Sequence, residues 1–324
     1  MMANEQTAAV IGAGVIGAGW AARYLAHGYR VKAWDPGSDA EQNLRQTIDI
    51  AWPSLQRVGL KDGASRENLE FASSLEAACS DAAIVHESTP EVIELKQAVL
   101  QEISRAAPGD AIIGSSTSGF MPSDLQQGLQ EPGRLIVSHP FNPVYILPLV
   151  EVVAGAQTDT EVVEKAQRLF RKIGMYPLHV RKEVEGHLAD RLLESLWREN
   201  LHLVNDGFAT TGELDDAITY GPGLRWAVMG TNLTYHLAGG EDGMKHMLEQ
   251  FGPALKLPWS HLQAPELNDE LISRMVEGTH EQAAGRSIRE LEQLRDNCLL
   301  SIMEALSEYE MGAGKILSRD RGSP

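Results

Sequence analysis

The chain contains 324 residues, of which 43% are hydrophobic and 23% are charged, a balance typical of a soluble globular protein with about two domains. The 28 Lys and Arg residues are outnumbered by 45 Asp and Glu residues, and the net charge of -17 argues against nucleic acids or anionic membranes as partners. No apolar run approaches the roughly 20 residues that cross a bilayer, and the first residues lack the pattern of a secretory signal. A cytoplasmic protein is therefore expected.

The two cysteines indicate neither a disulfide framework nor a metal site. Cys79 and Cys298 are far apart, and neither belongs to a pattern with the spacing of metal ligands. We expect both side chains to be packed in the core.

A dinucleotide-binding turn is predicted near the start of the chain. The apolar run Thr7–Ile11 is followed directly by the letters GAGVIG and then by a helical pattern. In such a turn Gly12 permits a tight bend, Gly14 lets the backbone approach a pyrophosphate, and Gly17 lets the helix pack closely on the strand. Free N–H groups at the start of the helix would face the phosphates. The predicted cofactor-binding residues of the turn are Gly12, Ala13, Gly14, Val15, Ile16 and Gly17.

Asp35 indicates that the dinucleotide is NAD. It follows the second predicted strand, Val31–Trp34, at the distance from the glycines that the fingerprint requires. Its carboxylate can accept both ribose hydroxyls, whereas residues 36–38 provide no arginine for a 2′-phosphate. NAD is therefore favoured over NADP.

Strands and helices then alternate as far as residue 180. Further strands are predicted at 82–86, 111–115, 134–138, 149–153 and 175–180, with helices between them. This alternation predicts an α/β fold with a doubly wound, Rossmann-type and mostly parallel sheet. Ligands of such sheets bind beyond the carboxyl ends of the strands.

Two of the predicted helices have further features, a proline in one and an apolar stripe on the other. Pro53 should bend or end the helix over 39–58, and the helix over 91–106 should bury a single apolar stripe. That stripe consists of Val92, Leu95, Val99 and Ile103.

The pattern changes after about residue 183. Helices are predicted over 186–205 and 287–307, the second opened by a capping box from Ser287 to Glu290, and no strand pattern intervenes. We therefore expect an NAD-binding domain over 1–183 and an all-helical substrate and dimerisation domain over 184–324. The apolar stripe of the second helix consists of Ile288, Leu291, Leu294, Cys298 and Ile302.

His139 and Glu151 are the candidate catalytic pair. Glu151 lies between two valines in a strand-like run, where a carboxylate needs a partner, and His139 ends the preceding apolar run. A carboxylate bonded to one ring nitrogen would leave the other free to take a proton, so His139 is the expected general base and Glu151 its orienter. The alternative is a core histidine satisfied by a neighbouring carbonyl.

Together these motifs resemble those of the 3-hydroxyacyl-CoA dehydrogenase family over nearly the whole chain. The similarity covers the glycine turn, Ser116-Thr-Ser118, His139-Pro-Phe-Asn-Pro143, the Val-Glu-Val around Glu151, and Gly186-x-x-x-x-Arg191-Leu-Leu.

The resemblance implies a reaction and a set of roles. His139 would be the base in oxidation of a 3-hydroxyl, Glu151 would hold it, and Ser118 and Asn142 would hydrogen-bond the substrate oxygen. The residues that match the family's contacts to the nicotinamide side of NAD are Glu91 and Lys96. Taken singly, these residues also fit a helix cap, a turn and a solvated ion pair.

The departures from the acyl-CoA enzymes concern the substrate. Asp190 stands where those enzymes carry an asparagine. Residues 221–227 and 230–240 resemble the hydroxy-acid branch of the family, which includes L-gulonate 3-dehydrogenases and, with greater similarity, L-carnitine dehydrogenases. Residues 251–259 and 264–267 look most like the carnitine enzymes. The expected substrate is therefore L-carnitine. The alternatives are L-gulonate, a 3-hydroxyacyl-CoA, or no substrate at all in a crystallin-like or sensor protein that only binds NAD.

A quaternary ammonium and a carboxylate distinguish carnitine from the other substrates. Aromatic faces and a nearby negative charge would bind the cation, and an arginine would bind the carboxylate. Core packing is the alternative role for the aromatic side chains. The candidate substrate-binding residues are Phe141, Asp190, Trp197, Arg225 and Trp226.

Overall fold

The structure is a computed structural model, and it describes residues 6–227, 229–239, 241, 243–260, 268–272, 283–311 and 313–320. The chain divides into two compact units, one of residues 1–190 with 316–324 and the other of residues 191–315. The division falls just after the boundary predicted at residue 183, because residues 186–189 hydrogen-bond to the first unit. The two-domain assignment with its boundary at 183 stays a prediction.

An eight-stranded sheet forms the centre of the first unit in the described part of the chain. Its order is β3-β2-β1-β4-β5-β6-β7-β8, and all neighbours are parallel except β6 and β7. The strands are β1 (Thr7–Ile11), β2 (Arg30–Trp34), β3 (Leu69–Phe71), β4 (Ala82–Glu87), β5 (Ile112–Ser115), β6 (Leu135–Pro140), β7 (Leu149–Ala154) and β8 (Tyr176–Val180). The predicted α/β fold with a doubly wound, mostly parallel sheet is confirmed.

Helices connect the strands of the first unit. They are α1 (Val15–Ala26), α2 (Ala40–Val58), α3 (Leu75–Cys79), α4 (Ile93–Ala106), α5 (Pro122–Leu125) and α6 (Thr160–Lys172). Of the two alternatives predicted for Pro53, a bend or an end of the helix, the end does not occur, since α2 continues to Val58. Ala51 and Leu55 are both buried on either side of the proline, and this packing holds the helix together.

The core beneath α3 and α4 corrects the predicted face of α4. Val92 and Leu95 are exposed, whereas Lys96, Leu100 and Ile103 are buried. The predicted stripe is therefore right for Ile103 and for Val99, which packs partly buried against the core, and wrong for Val92 and Leu95. Lys96 lies on the buried face, where its ammonium pairs with the buried Glu87 carboxylate.

The second unit contains helices and no strand among its described residues, as predicted. Its helices are α7 (Ala189–Asn205), whose first two residues belong to the first unit, α8 (Thr211–Thr219), α9 (Pro222–Trp226), α10 (Thr231–Ala238), α11 (Gly243–Phe251) and α12 (Ile288–Ser307), followed by α13 (Gly314–Asp320), which spans the division between the units. The capping box from Ser287 to Glu290 is present. Among the helices described, none has the length and apolarity needed to span a bilayer.

The predicted apolar stripe of α12 is not buried. Leu294, Cys298 and Ile302 are exposed, while Leu300 and Met303 on another face are buried. The expectation that both cysteines are core residues is therefore right for Cys79 only. Ile288 and Leu291 lie outside the described side chains.

Candidate active site

The glycine turn has the geometry that a bound dinucleotide requires. Gly12 has φ +95°, and a Cβ there would lie 2.5 Å from the carbonyl oxygen of Ser88. A Cβ on Gly17 would lie 1.9 Å from the Gly12 carbonyl oxygen, so α1 can pack on β1 only with glycine at this position. A Cβ on Gly14 would meet nothing within 4 Å, which leaves open space at the start of α1. This space fits a pyrophosphate facing the helix N-terminus.

Asp35 is held at the end of β2 by two main-chain donors. The N–H of Ala13 donates to Oδ2 and the N–H of Gly37 donates to Oδ1, both at 2.8 Å. These bonds tie the carboxylate to the glycine turn and leave lone pairs on both oxygens for ribose hydroxyls. The arrangement fits NAD, as the sequence predicts.

The carboxyl end of β4 carries a buried ion pair that sequence reasoning did not find. Glu87 and Lys96 are fully buried, with Nζ 3.0 Å from Oε1. Lys96 also donates to the Thr89 carbonyl at 3.0 Å and lies 3.3 Å from Oε2 of Glu91. Its ammonium group therefore makes three contacts with the protein itself, so its predicted contact with the cofactor stays a prediction.

Glu91 fixes the loop that follows β5. Its Oε1 accepts hydrogen bonds from the hydroxyl of Thr117 and from the N–H groups of Ser118 at 3.1 Å and Gly119 at 3.2 Å. Ser118 itself is exposed, as a residue that bonds a substrate must be. The predicted cofactor residue Glu91 and the predicted substrate residue Ser118 therefore lie together.

His139 and Glu151 face each other across the antiparallel pair of β6 and β7. Nδ1 of His139 lies 3.0 Å from Oε2 of the fully buried Glu151. The other oxygen of Glu151 accepts the N–H groups of Leu188 at 2.9 Å and Ala189 at 3.0 Å, where α7 begins. Because an ionised carboxylate only accepts, Nδ1 carries the hydrogen and Nε2 of the neutral ring is the free acceptor.

The hydrogen bonds to Glu151 keep it charged. Burial alone would raise its pKa, but the bonds from His139, Ala189 and Leu188 outweigh burial and lower the pKa below its ordinary value. An ionised Glu151 holds the tautomer of His139 and stabilises the ring when it is protonated.

Asp190 lies on the opposite side of the imidazole from Glu151. Its Oδ2 is 3.5 Å from Nε2 of His139, and its side chain is 29% exposed compared with 6% for His139. Phe141 presents its ring edge-on to the imidazole, with the centroids 5.1 Å apart. Two of the predicted substrate residues thus adjoin the predicted base.

His187 is a buried residue of this cluster that sequence reasoning missed. Its ring lies 5.5 Å from that of His139, and Nε2 is 3.2 Å from the carbonyl oxygen of Thr117. Nε2–H therefore donates, and Nδ1 finds no hydrogen-bond partner among the described residues. Burial lowers its pKa, so the ring stays neutral. Its backbone has φ +47° beside Gly186 at +70°, and such a Gly-His pair before a helix is the only signal that the sequence offers.

A polar network runs under the sheet between the two sides of the site. His86 is fully buried, with Nε2 3.0 Å from the Tyr24 hydroxyl and Nδ1 3.4 Å from the Ser138 hydroxyl. Its ring stacks on Trp20 at a centroid distance of 4.0 Å. Burial lowers the pKa of His86 to about 3, which keeps it neutral. It lies next to Glu87 in the sequence and contacts the neighbour of His139.

The remaining predicted residues lie in two places. Asn142 is exposed just after β6, near the base. Trp197 lies on α7, and Arg225 and Trp226 lie on α9, all in the second unit, and all three are exposed. Their contacts with substrate stay predictions.

The whole arrangement suits removal of a hydride and a proton from an alcohol. A dinucleotide site lies at the carboxyl ends of β1 and β2, and an imidazole oriented by a carboxylate lies at the end of β6. Such an imidazole can take a hydroxyl proton while its carboxylate stabilises the charge that forms.

Comparison with known families matches both parts of the chain. Residues 7–184 match the model of the 3-hydroxyacyl-CoA dehydrogenase NAD binding domain, and residues 186–284 match that of the C-terminal domain of the same enzymes. Three L-carnitine dehydrogenases are close relatives. The Pseudomonas aeruginosa enzyme is 57% identical over 95% of this chain and 96% of its own length. The enzymes of Pseudomonas putida and Oceanobacillus iheyensis are each 55% identical, over 95% and 93% of this chain and 96% and 98% of their own lengths.

Solved structures agree with these matches. The NAD-dependent 5-formyl-3-hydroxy-2-methylpyridine 4-carboxylic acid 5-dehydrogenase has a TM-score of 0.78 and 27% identity, over 93% of this chain and 98% of that one. FadB2 of Mycobacterium tuberculosis has a TM-score of 0.63 and 25% identity, over 85% of this chain and 94% of that one.

Proposed function

This chain belongs to the 3-hydroxyacyl-CoA dehydrogenase family and is an NAD-dependent 3-hydroxy acid dehydrogenase, and we propose that its substrate is L-carnitine. The product would be 3-dehydrocarnitine. The observation that carries the proposal is the identity of 51% to 57% with L-carnitine dehydrogenases over nearly the full length of both chains.

His139 is the general base of the proposed reaction. Its Nε2 takes the proton of the 3-hydroxyl, while Glu151, bonded to Nδ1 at 3.0 Å, stabilises the imidazolium that forms. Ser118 and Asn142, which are exposed near the base, donate hydrogen bonds to the oxygen as it becomes a ketone. NAD, when bound, accepts the hydride from carbon 3.

The charge distribution near the base supports a cationic substrate. Asp190 places a carboxylate 3.5 Å from Nε2 of His139, and the Phe141 ring lies beside the same imidazole. A carboxylate and an aromatic ring are the groups that attract a quaternary ammonium. An acyl-CoA would instead bring phosphate charges to a chain with a net charge of -17.

The proposal is tested by NADH formation with purified protein and NAD across L-carnitine, D-carnitine, L-gulonate and (S)-3-hydroxybutyryl-CoA. We expect the largest kcat/KM with L-carnitine and none with the D isomer, because only one face of carbon 3 can present its hydrogen to the cofactor. A larger kcat/KM with L-gulonate or the CoA ester would replace carnitine as the substrate.

A homodimer in the cytoplasm completes the proposal. The exposed side chains of Leu294, Cys298 and Ile302 follow one another at four-residue intervals and form one apolar stripe along α12. A second copy of the chain covering this stripe would bury it, and sedimentation or light scattering would then give twice the mass of one chain.

A further inference from the structure

The proton that the reaction releases must leave a buried base. Oxidation of an alcohol to a ketone gives up one proton as well as a hydride, and His139 would hold that proton at Nε2 while its side chain is only 6% exposed. Glu151, on the other side of the ring, is fully buried. The Asp190 side chain is 29% exposed and therefore joins the imidazole to solvent.

A proton can be shared between His139 and Asp190, because Nε2 of the ring faces Oδ2 of the carboxylate. Nε2 of the neutral ring and Oδ2 of the ionised carboxylate are both acceptors, so they repel each other at 3.5 Å unless a proton lies between them. With Nε2 protonated the same contact becomes an ion pair. The Asp190 carboxylate is thus placed at the atom that receives the substrate proton.

We propose that Asp190 takes the substrate proton from His139 and passes it to water. This inference rests on the proposed role of His139 as base. The substrate O–H bond breaks as an N–H bond forms at Nε2, and the electron pair of the C–H bond leaves as hydride to NAD as the C=O bond forms. The N–H bond then breaks, an O–H bond forms on Asp190, and water removes that proton, which restores both side chains.

None of the other groups that the structure describes around His139 offers the proton a route outward. Glu151 is saturated by hydrogen bonds from His139, Leu188 and Ala189 and has no exposed surface. His187 is fully buried, and its N–H is committed to the Thr117 carbonyl. Phe141 offers only a ring edge.

Stopped-flow measurement of proton release tests the proposal. The enzyme is mixed with NAD and the best hydroxy-acid substrate of the panel in weak buffer, and NADH absorbance is followed beside a pH-indicator dye. In the unmodified enzyme the two signals should rise together. In Asp190→Asn, which cannot take a proton, dye response should lag NADH formation on the order of 10²-fold in rate. Added imidazole buffer should shorten the lag by accepting the proton instead.

Two further variants make the result decisive. Asp190→Glu, which restores a carboxylate, should recover simultaneous release, and Asp216→Asn, which changes an exposed acid of α8, should behave as the unmodified enzyme. Simultaneous signals in Asp190→Asn would overturn the proposal. So would a defect seen with carnitine but absent with 3-hydroxybutyrate, which has no ammonium group, since Asp190 would then act on the cation alone. Failure of carnitine as substrate is a separate result, because the measurement uses whichever hydroxy acid is oxidised.

Discussion

Two buried carboxylates, one at the end of β4 and one within β7, adjoin the candidate active site, and they are held in different ways. Glu87, at the end of β4, pairs with Lys96 and also accepts hydrogen bonds from Thr89 and Ser115. Glu151, in β7, pairs with His139 and accepts two main-chain N–H groups. Both are fully buried, so both must be compensated.

The difference lies in the basic partner. The Lys96 ammonium has acceptors from Glu87, Thr89 and Glu91 around it, so each of its three hydrogens has a partner within the protein. His139 is held at one nitrogen only, and its other nitrogen faces the more exposed Asp190. A closed pair fixes structure, whereas a pair with one free acceptor can do chemistry.

The largest expected effect is the loss of turnover when His139, whose Nε2 is the acceptor, is removed. His139→Ala should lower kcat by about 10² to 10⁴-fold, because the proton of the hydroxyl then has no base. The dissociation constant for NAD, measured by fluorescence titration, should stay near its original value. The free energy of unfolding should fall by about 1 to 3 kcal/mol, since Oε2 of Glu151 loses its partner while Leu188 and Ala189 still bond Oε1.

The exposed His179 on β8 provides the control for this variant. His179→Ala should leave kcat unchanged. An equal loss of NAD affinity and turnover in His139→Ala would show instead that the histidine is structural.

For the pair of Glu87 and Lys96, the expected effect of a substitution is on stability. Lys96→Met leaves the Glu87 charge buried without its cation and should lower the free energy of unfolding by about 3 to 5 kcal/mol, measured by urea denaturation. Lys165→Met breaks the exposed pair with Asp110 and should cost less than about 1 kcal/mol. Equal costs in the two variants would mean that the buried pair contributes no more than a surface one.

A smaller effect is expected in the pH dependence of protein stability, and it should come from His86. His86 has a pKa of about 3 in the folded protein against an ordinary value of 6.5, so below pH 6.5 the unfolded chain binds a proton that the folded chain does not. Stability is therefore complete above pH 6.5 and decreases as the pH falls. The loss should be roughly 2 kcal/mol between pH 6.5 and about pH 5, where carboxylates contribute little.

Urea denaturation at several pH values measures this loss. Burial also lowers the pKa of His187, which therefore contributes in the same direction. His86→Gln cannot titrate and should lose part of the pH dependence in that window, whereas His179→Gln should retain all of it. A His86→Gln protein with the full dependence would place its origin elsewhere.

The sequence predicted those parts of the site that depend on local pattern. The glycine turn, Asp35 and the run with Glu151 between two valines each carry their signal within a few residues, and the alternation of elements predicts the sheet. Strand β3 was not predicted, because three residues, Leu69–Phe71, are too few to show a periodic pattern.

The unpredicted parts depend on contacts between distant residues. Glu87 is the last residue of its strand, so the sequence does not show whether its side chain points into the core. Lys96 is buried because it pairs with the Glu87 carboxylate there. His187 owes its place to a left-handed backbone and to the Thr117 carbonyl 70 positions earlier. The stripe of Leu294 and Ile302 was correctly recognised as apolar, but periodicity does not tell a core face from an exposed one.

The main-chain hydrogen bonds to Glu151 affect which substitutions this enzyme can tolerate. Its two donors at Leu188 and Ala189 are main-chain amides, which every residue except proline supplies. Side chains at these two positions can therefore be changed while His139, the proposed base, keeps its orientation. Directed evolution of substrate range can begin at residues 188 and 189, next to Asp190, because substitutions there leave the main-chain hydrogen bonds to Glu151 in place.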